Sequence, residues 1–325
     1  MARLLAAYLI VVPLVLVACS QTPSPRRRAV DVTILYTWDA EAQTEAVSSP
    51  FGCAGEPVGG FARRASVIES VRADGGPVLV LDAGNTLASP NDQIVPQATC
   101  ETALEAMNLM GYQGMVLGED DLRLGATALR GCIAHAQFPV VSANVVDLST
   151  RKALSKPFAI VQVGDSQTVG IIGLTGVRGR GAQSSTVQPR AGGSKLAITD
   201  AASALAKAAR ELRGRVDLLI TLTNLDWDVC TRLAESVSGI DLIMCAGEQG
   251  GTALTSWQAP STGAWVCSVQ LPGLYDPAWV VGEVRVKTTA QGGIALVNIQ
   301  PLKVNNDVPE DQEVASLLLS RRVSR

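Results

Sequence analysis

Histidine is nearly missing from this chain. Its 325 residues contain one, His135, so a site built on several imidazoles cannot form within a single copy and His-rich zinc centres are excluded. Aromatic residues make up only 4%, and Lys+Arg at 27 against Asp+Glu at 30 leaves a net charge of -3. With neither base-stacking platforms nor a basic excess, nucleic acid is not an expected partner. No Cys-x-x-Cys pair occurs, which argues against thioredoxin-like chemistry. There is no internal repeat, no coiled-coil heptad pattern and no second apolar run after the first eighteen residues that approaches the roughly 20 needed to cross a bilayer. What the chain has in quantity is aliphatic material: 47% of it is hydrophobic and 18% charged, enough to bury a substantial core.

The amino terminus reads as a targeting segment. Arg3 is a thin positive region, Leu4 to Val17 an apolar one, and Leu16-Val17-Ala18-Cys19 has the form of a bacterial lipobox. Residues 1–18 are therefore expected to be a lipoprotein signal peptide and Cys19 the lipidated amino terminus, anchored by several acyl chains where one would not suffice. A plain secretory peptide or short anchor is the competing reading. Ser20 is not the Asp that retains a lipoprotein in the inner membrane, which favours the outer membrane of a bacterial envelope. Residues 19–30, with Pro, Ser and three arginines, form a flexible tether. Six cysteines remain: Cys53, Cys100, Cys132, Cys230, Cys245 and Cys267. In an exported protein they are candidates for up to three disulfides with 15 possible connectivities, for buried free thiols, or for redox work at Cys53, Cys230 or Cys245.

From Asp31 the text alternates short aliphatic runs with amphipathic stretches, as in a layered α/β domain over residues 31–325. The runs VTILYT, PVLVLDAG, GMVLG, FPVVSANV, TVGIIGLTG, VDLLITLTN and IDLIMCAG are expected strands. Helices are expected near Gly60–Arg72, Cys100–Met110, Ala126–Ala136, Leu196–Leu212 and Val229–Ser236, with a last one over Glu310–Leu319. The tail from Thr252 reads instead as consecutive antiparallel strands. Since ligands gather at the carboxyl ends of strands in open α/β sheets, the polar residues closing each run mark the place to look for chemistry.

Those closing segments are Tyr36-Thr37-Trp38-Asp39-Ala40-Glu41, Asp82-Ala83-Gly84-Asn85-Thr86, Gly118-Glu119-Asp120-Asp121, Thr223-Asn224-Leu225-Asp226 and Ala246-Gly247-Glu248-Gln249. With Gly59-Gly60-Phe61-Ala62-Arg63-Arg64-Ala65 between the first two, the chain resembles the 5′-nucleotidase branch of the calcineurin-like metallophosphoesterases. The resemblance implies a four-layer α/β/β/α sandwich and covers nearly all of the mature chain, stopping short of the second, nucleoside-recognising domain such enzymes carry. It also implies a two-metal centre with a bridging Asp and a histidine assisting the leaving group. Carried over position by position, that centre survives only at Asp39. Glu41 stands at a ligand histidine, Asn85 at the bridging Asp, Glu119 at the ligand Asn and Asp120 at the catalytic histidine. Asn224 and Gln249 replace two further histidines, and Gly247 replaces a third.

The expectation is a lipid-anchored relative that has lost binuclear-metal phosphatase activity, with no working catalytic or metal site expected. It would bind a small ligand or an envelope protein through Asp39, Glu41, Asn85, Glu119, Asp120, Asn224 and Gln249. The competing reading is a hydrolase using Ca²⁺ or Mg²⁺ on a reorganised carboxylate cluster, to which Asp121 and Glu248 would add. Without a cation the crowded carboxylates would be hydrated, partly protonated or salt-bridged. Arg63 and Arg64 are the candidates for neutralising them, or else part of a solvated helix face. His135, in a helical stretch, cannot rebuild the centre.

Overall fold

The computed structural model describes residues 27–48, 57–89, 96–177, 184–190, 193–246, 254–269, 279–289 and 293–323. The signal segment, Cys19 and the tether up to residue 26 lie outside the described residues, as do Cys53, Gly247, Glu248 and Gln249.

Alternation of side chains along short aliphatic strands builds two six-stranded sheets. The first contains β1 (Asp31–Thr37), β4 (Val78–Asp82), β5 (Gly114–Val116), β6 (Val140–Val141), β17 (Val280–Thr288) and β18 (Ile294–Lys303), in the spatial order β18-β17-β1-β4-β5-β6. The second contains β9 (Phe158–Val163), β10 (Gln167–Leu174), β13 (Leu218–Thr223), β14 (Leu242–Cys245), β15 (Thr255–Gln258) and β16 (Trp265–Ser268), in the order β15-β16-β14-β13-β10-β9. In β1, Ile34 and Tyr36 face the second sheet while Leu35 faces helices; in β13, Leu218, Ile220 and Leu222 face inward and Leu219 outward. Both faces of each sheet are thus buried, which is why the strands read as continuous apolar runs.

Helices cover the two outer faces. On the first sheet lie α1 (Phe61–Ala73), α2 (Gln97–Leu109), α4 (Ala126–Ile133) and α7 (Gln312–Val323), contributing Ile68, Leu104, Leu129 and Val314 to the core. On the second lie α5 (Ala201–Leu212) and α6 (Trp227–Ser236), contributing Leu205 and Leu233. A single-turn helix, α3 (Glu119–Leu122), follows β5. Two small sheets, β11-β12-β7-β8 and β2-β3, complete the fold: β2 (Val47–Ser48), β3 (Pro57–Val58), β7 (Val145–Asp147), β8 (Lys152–Ala153), β11 (Ser185–Val187) and β12 (Leu196–Ile198). The expected α/β/β/α layering is present.

Three local expectations are corrected. Residues 196–198 form β12, and the helix expected from Leu196 begins at Ala201, where the Asp200 side chain accepts the Ser203 N–H at 2.8 Å and caps it. The edge strand β9 is not among the expected strands. The tail is not one antiparallel series either: β15 and β16 join the second sheet, with β16 parallel to β14, while β17 and β18 join the first, with β17 antiparallel to β1. Alternation identifies strands but not which of two sheets they extend.

The start of the described chain is tied down. Nη1 of Arg27 lies 2.8 Å from both carboxylate oxygens of Asp241, and the Arg28 N–H donates to Asp217 at 2.8 Å. Asp217 and Asp241 immediately precede β13 and β14, at the amino-terminal edge of the second sheet.

Candidate functional site

The turns after β1, β4 and β5 run side by side at the carboxyl edge of the first sheet. Asp39, Glu41, Ala42 and Asn85 adopt φ of 47°, 52°, 64° and 56°, a left-handed region uncommon for residues with a side chain. Backbone bonds hold them there: the N–H groups of Asp39, Glu41 and Ala42 donate to the carbonyls of Gly84, Asn85 and Thr86, each at 2.9 Å. Gly84, at φ 94°, packs so tightly on the third turn that a Cβ would stand 2.6 Å from the Gly118 nitrogen. Strain of this kind collects at functional rims.

Asn85 sits at the centre of the rim and is 1% exposed. Its Nδ2 donates to Asp39 Oδ1 at 2.8 Å, and its Oδ1 accepts the Asp120 N–H at 3.0 Å. An amide offers both a donor and an acceptor; the aspartate implied by the family resemblance would offer acceptors only. Asp120 turns to Arg123, whose Nε lies 3.1 Å from Asp120 Oδ1 and whose Nη2 lies 3.7 Å from Glu119 Oε1. Arg123 is thus the cation that sequence reasoning missed. The i+3 and i+4 spacing from Asp120 and Glu119 was the available signal.

Asp121 does not join the cleft. Its buried carboxylate accepts the N–H groups of Asn85, Leu87 and Gly118 at 2.9, 2.8 and 2.8 Å. Burial pushes its pKa up to about 7, against the pull of those three donors. Beneath the rim, Asp82 accepts from the hydroxyls of Thr37 and Thr86 at 2.7 and 2.9 Å and from the Gly84 N–H at 3.0 Å. Burial raises it to about 6, with the charge of Arg64 among the opposing influences. Arg64 is fully buried over the Phe61 ring, 4.7 Å from its centroid, so its charge acts one level below the cleft. Arg63 instead pairs with Glu310 at 2.8 Å. Neither of these arginines is the partner found on Asp120.

On the second sheet, Asn224 follows β13 and is 4% exposed, its Oδ1 accepting the Gly176 N–H at 2.6 Å. The two sheets are stitched at this edge by Thr175, which bonds to Asn144 through its backbone N–H and carbonyl and donates its hydroxyl to the Leu117 carbonyl at 2.6 Å. His135 lies in the helical layer, 3.6 Å from Glu101 and 3.4 Å from Glu105, and takes no part in the rim. Of the cysteines, Cys100 and Cys132 form a disulfide joining α2 to α4, and Cys230, Cys245 and Cys267 are buried.

Among the described positions, the donor set does not fit a binuclear metal centre. Asp39 is engaged by a neutral amide where a bridging carboxylate would be needed, Asp120 faces a guanidinium, and Asn224 is spent on backbone. No group of three His, Cys, Asp or Glu among the described residues converges as metal ligands would; Glu248 of the alternative carboxylate cluster lies outside those residues.

Layering, strand order and a rim at the strand carboxyl ends define an α/β domain of the metallophosphoesterase type. No family model matches the chain. It is 30% identical over 311 residues to the snake venom 5′-nucleotidase of Gloydius brevicauda, spanning 87% of this chain and 50% of that protein. The 5′-nucleotidase precursor from Thermus thermophilus superposes with a TM-score of 0.75 at 27% identity, covering 91% of this chain and 59% of the other. A calcineurin-like phosphoesterase, YfkN from Bacillus subtilis, shares the fold at a TM-score of 0.67 and 18% identity, over 91% of this chain and 98% of the other. By sequence and structure together, the chain is a relative of the N-terminal domain of the 5′-nucleotidase family. It spans about half the length of the curated relatives it matches.

Proposed function

We propose that this protein is a 5′-nucleotidase-like envelope protein whose phosphatase centre has been replaced by a hydrogen-bonded rim, and that it serves as a binding or accessory protein. The observation that carries the reading is Asn85 donating to Asp39 at 2.8 Å while accepting the Asp120 backbone N–H: one neutral side chain, at the position of the bridging carboxylate, ties the retained Asp39 to the turn after β5. Asp39, Glu41 and Glu119 remain partly accessible and, with Arg123, present both charge signs to a polar ligand or a protein partner. The lipobox at Leu16–Cys19 supports anchorage of Cys19 in a bacterial membrane, the outer one by the choice of Ser20.

The test is metal analysis of the purified full chain together with turnover assays on a nucleoside monophosphate and a phosphodiester. Less than stoichiometric metal and no hydrolysis above a buffer blank are expected, with and without added Mg²⁺, Ca²⁺, Mn²⁺ or Zn²⁺. Hydrolysis that disappears in Asp39→Ala and Glu119→Ala would replace this reading with a carboxylate-based hydrolase.

A further inference from the structure

From the geometry we infer that Cys230 and Cys245 are a disulfide pair that braces the second-sheet half of the rim. Three cysteines cluster near the carboxyl edge of that sheet, and the pleat sorts them. Met244 pairs with Cys267 in the parallel register of β14 and β16, and both side chains belong to the core between the sheets. Cys245, one residue further, points the other way, into the core beneath α5 and α6. Cys230, in the first turns of α6, enters the same core from the helix side. The two sulfurs stand 2.6 Å apart, far inside the contact distance of non-bonded sulfur atoms and close to the approximately 2.05 Å of a bond. Both also face the Leu225 carbonyl, at 3.5 and 3.0 Å.

Leu225 follows Asn224, whose side chain holds Gly176. The bond would fasten the start of α6, which follows directly on this turn, to the end of β14. The two thiols release two protons and two electrons; the disulfide of an exported thiol oxidase, or of oxidised glutathione, accepts both and leaves as two thiols. Both sulfurs are buried, so dissolved oxidants and reductants reach them only when the chain opens.

Peptide mapping of the full chain, refolded in a glutathione redox buffer and alkylated after denaturation without reductant, reads the pairing directly. The expected product is a cross-linked pair of peptides carrying Cys230 and Cys245, lighter than the two separate peptides by two hydrogens, with Cys267 outside that link. Cys245→Ser should release Cys230 as an alkylatable thiol and lower Tm by roughly 5 °C, while Cys267→Ser leaves the link in place. Alkylated Cys230 and Cys245 in the wild-type map, or a link from either to Cys267 or Cys53, would overturn the assignment. That map needs no variant to fold and is independent of whether the rim is catalytic.

Discussion

Asn85 is where one atom decides most. Replacing its Nδ2 by oxygen, in Asn85→Asp, sets a second carboxylate within hydrogen-bonding distance of Asp39. The variant is expected to lose about 1–3 kcal/mol at neutral pH. The loss shrinks as acid protonates one of the pair, so calorimetric Tm should fall more at pH 8 than at pH 5; an equal fall at both would mean that like-charge repulsion is not the cause. Asp82 and Asp121 give a second pH dependence. Burial raises both above the ordinary 3.8, to about 6 and about 7, so between these values and 3.8 the folded state binds more protons than the unfolded one. Their contribution to stability is full below about pH 4 and is lost as pH rises through 6 to 7, by on the order of 1.4 kcal/mol for each pH unit that separates folded from unfolded titration. Urea midpoints across that range should decline with pH, and Asp82→Asn should flatten the decline. At this scale the sequence is legible in part. That Asp39, Asn85, Glu119 and Asp120 share one rim follows from their places at the strand ends. That Asp121 turns inward onto three backbone N–H groups depends on the direction of a four-residue helix that no periodicity could reveal, whereas the pairing of Arg123 with Asp120 is legible only as an i, i+3 spacing.

Among elements, the helical layer over the first sheet carries a covalent staple. The Cys100–Cys132 bridge ties α2 to α4 across a separation of 32 residues, a loop for which chain-entropy arguments give roughly 3–4 kcal/mol. Cys132→Ser should therefore lower the unfolding free energy by about that amount, measured in urea, without altering assembly of the second sheet; a change under about 1 kcal/mol would mean the unfolded chain is little constrained by the bridge. Elements buried on both faces, such as β1, β4, β10 and β13, are plain in the sequence because nothing else produces such runs. Those that escape it sit at margins. Strand β9 is an edge with mixed exposure, bounded by Pro157 and the turn at Gly164. Strand β12 is three residues long and merges with the helical pattern that follows, with Asp200 as the only punctuation between them.

For the molecule as a whole, direction follows from two arginines. Arg27 and Arg28 fasten the chain's entry point to Asp241 and Asp217, at the strand starts, whereas the Asn85 rim lies at the strand ends of the same sandwich. Between Arg27 and Cys19 there is at most some 28 Å of fully stretched backbone. A lipid carried on Cys19 would keep the sandwich standing on its strand-start edge, close to the bilayer. Its acidic and amide-lined crown would then look away from the lipid surface, toward whatever moves through the space beyond.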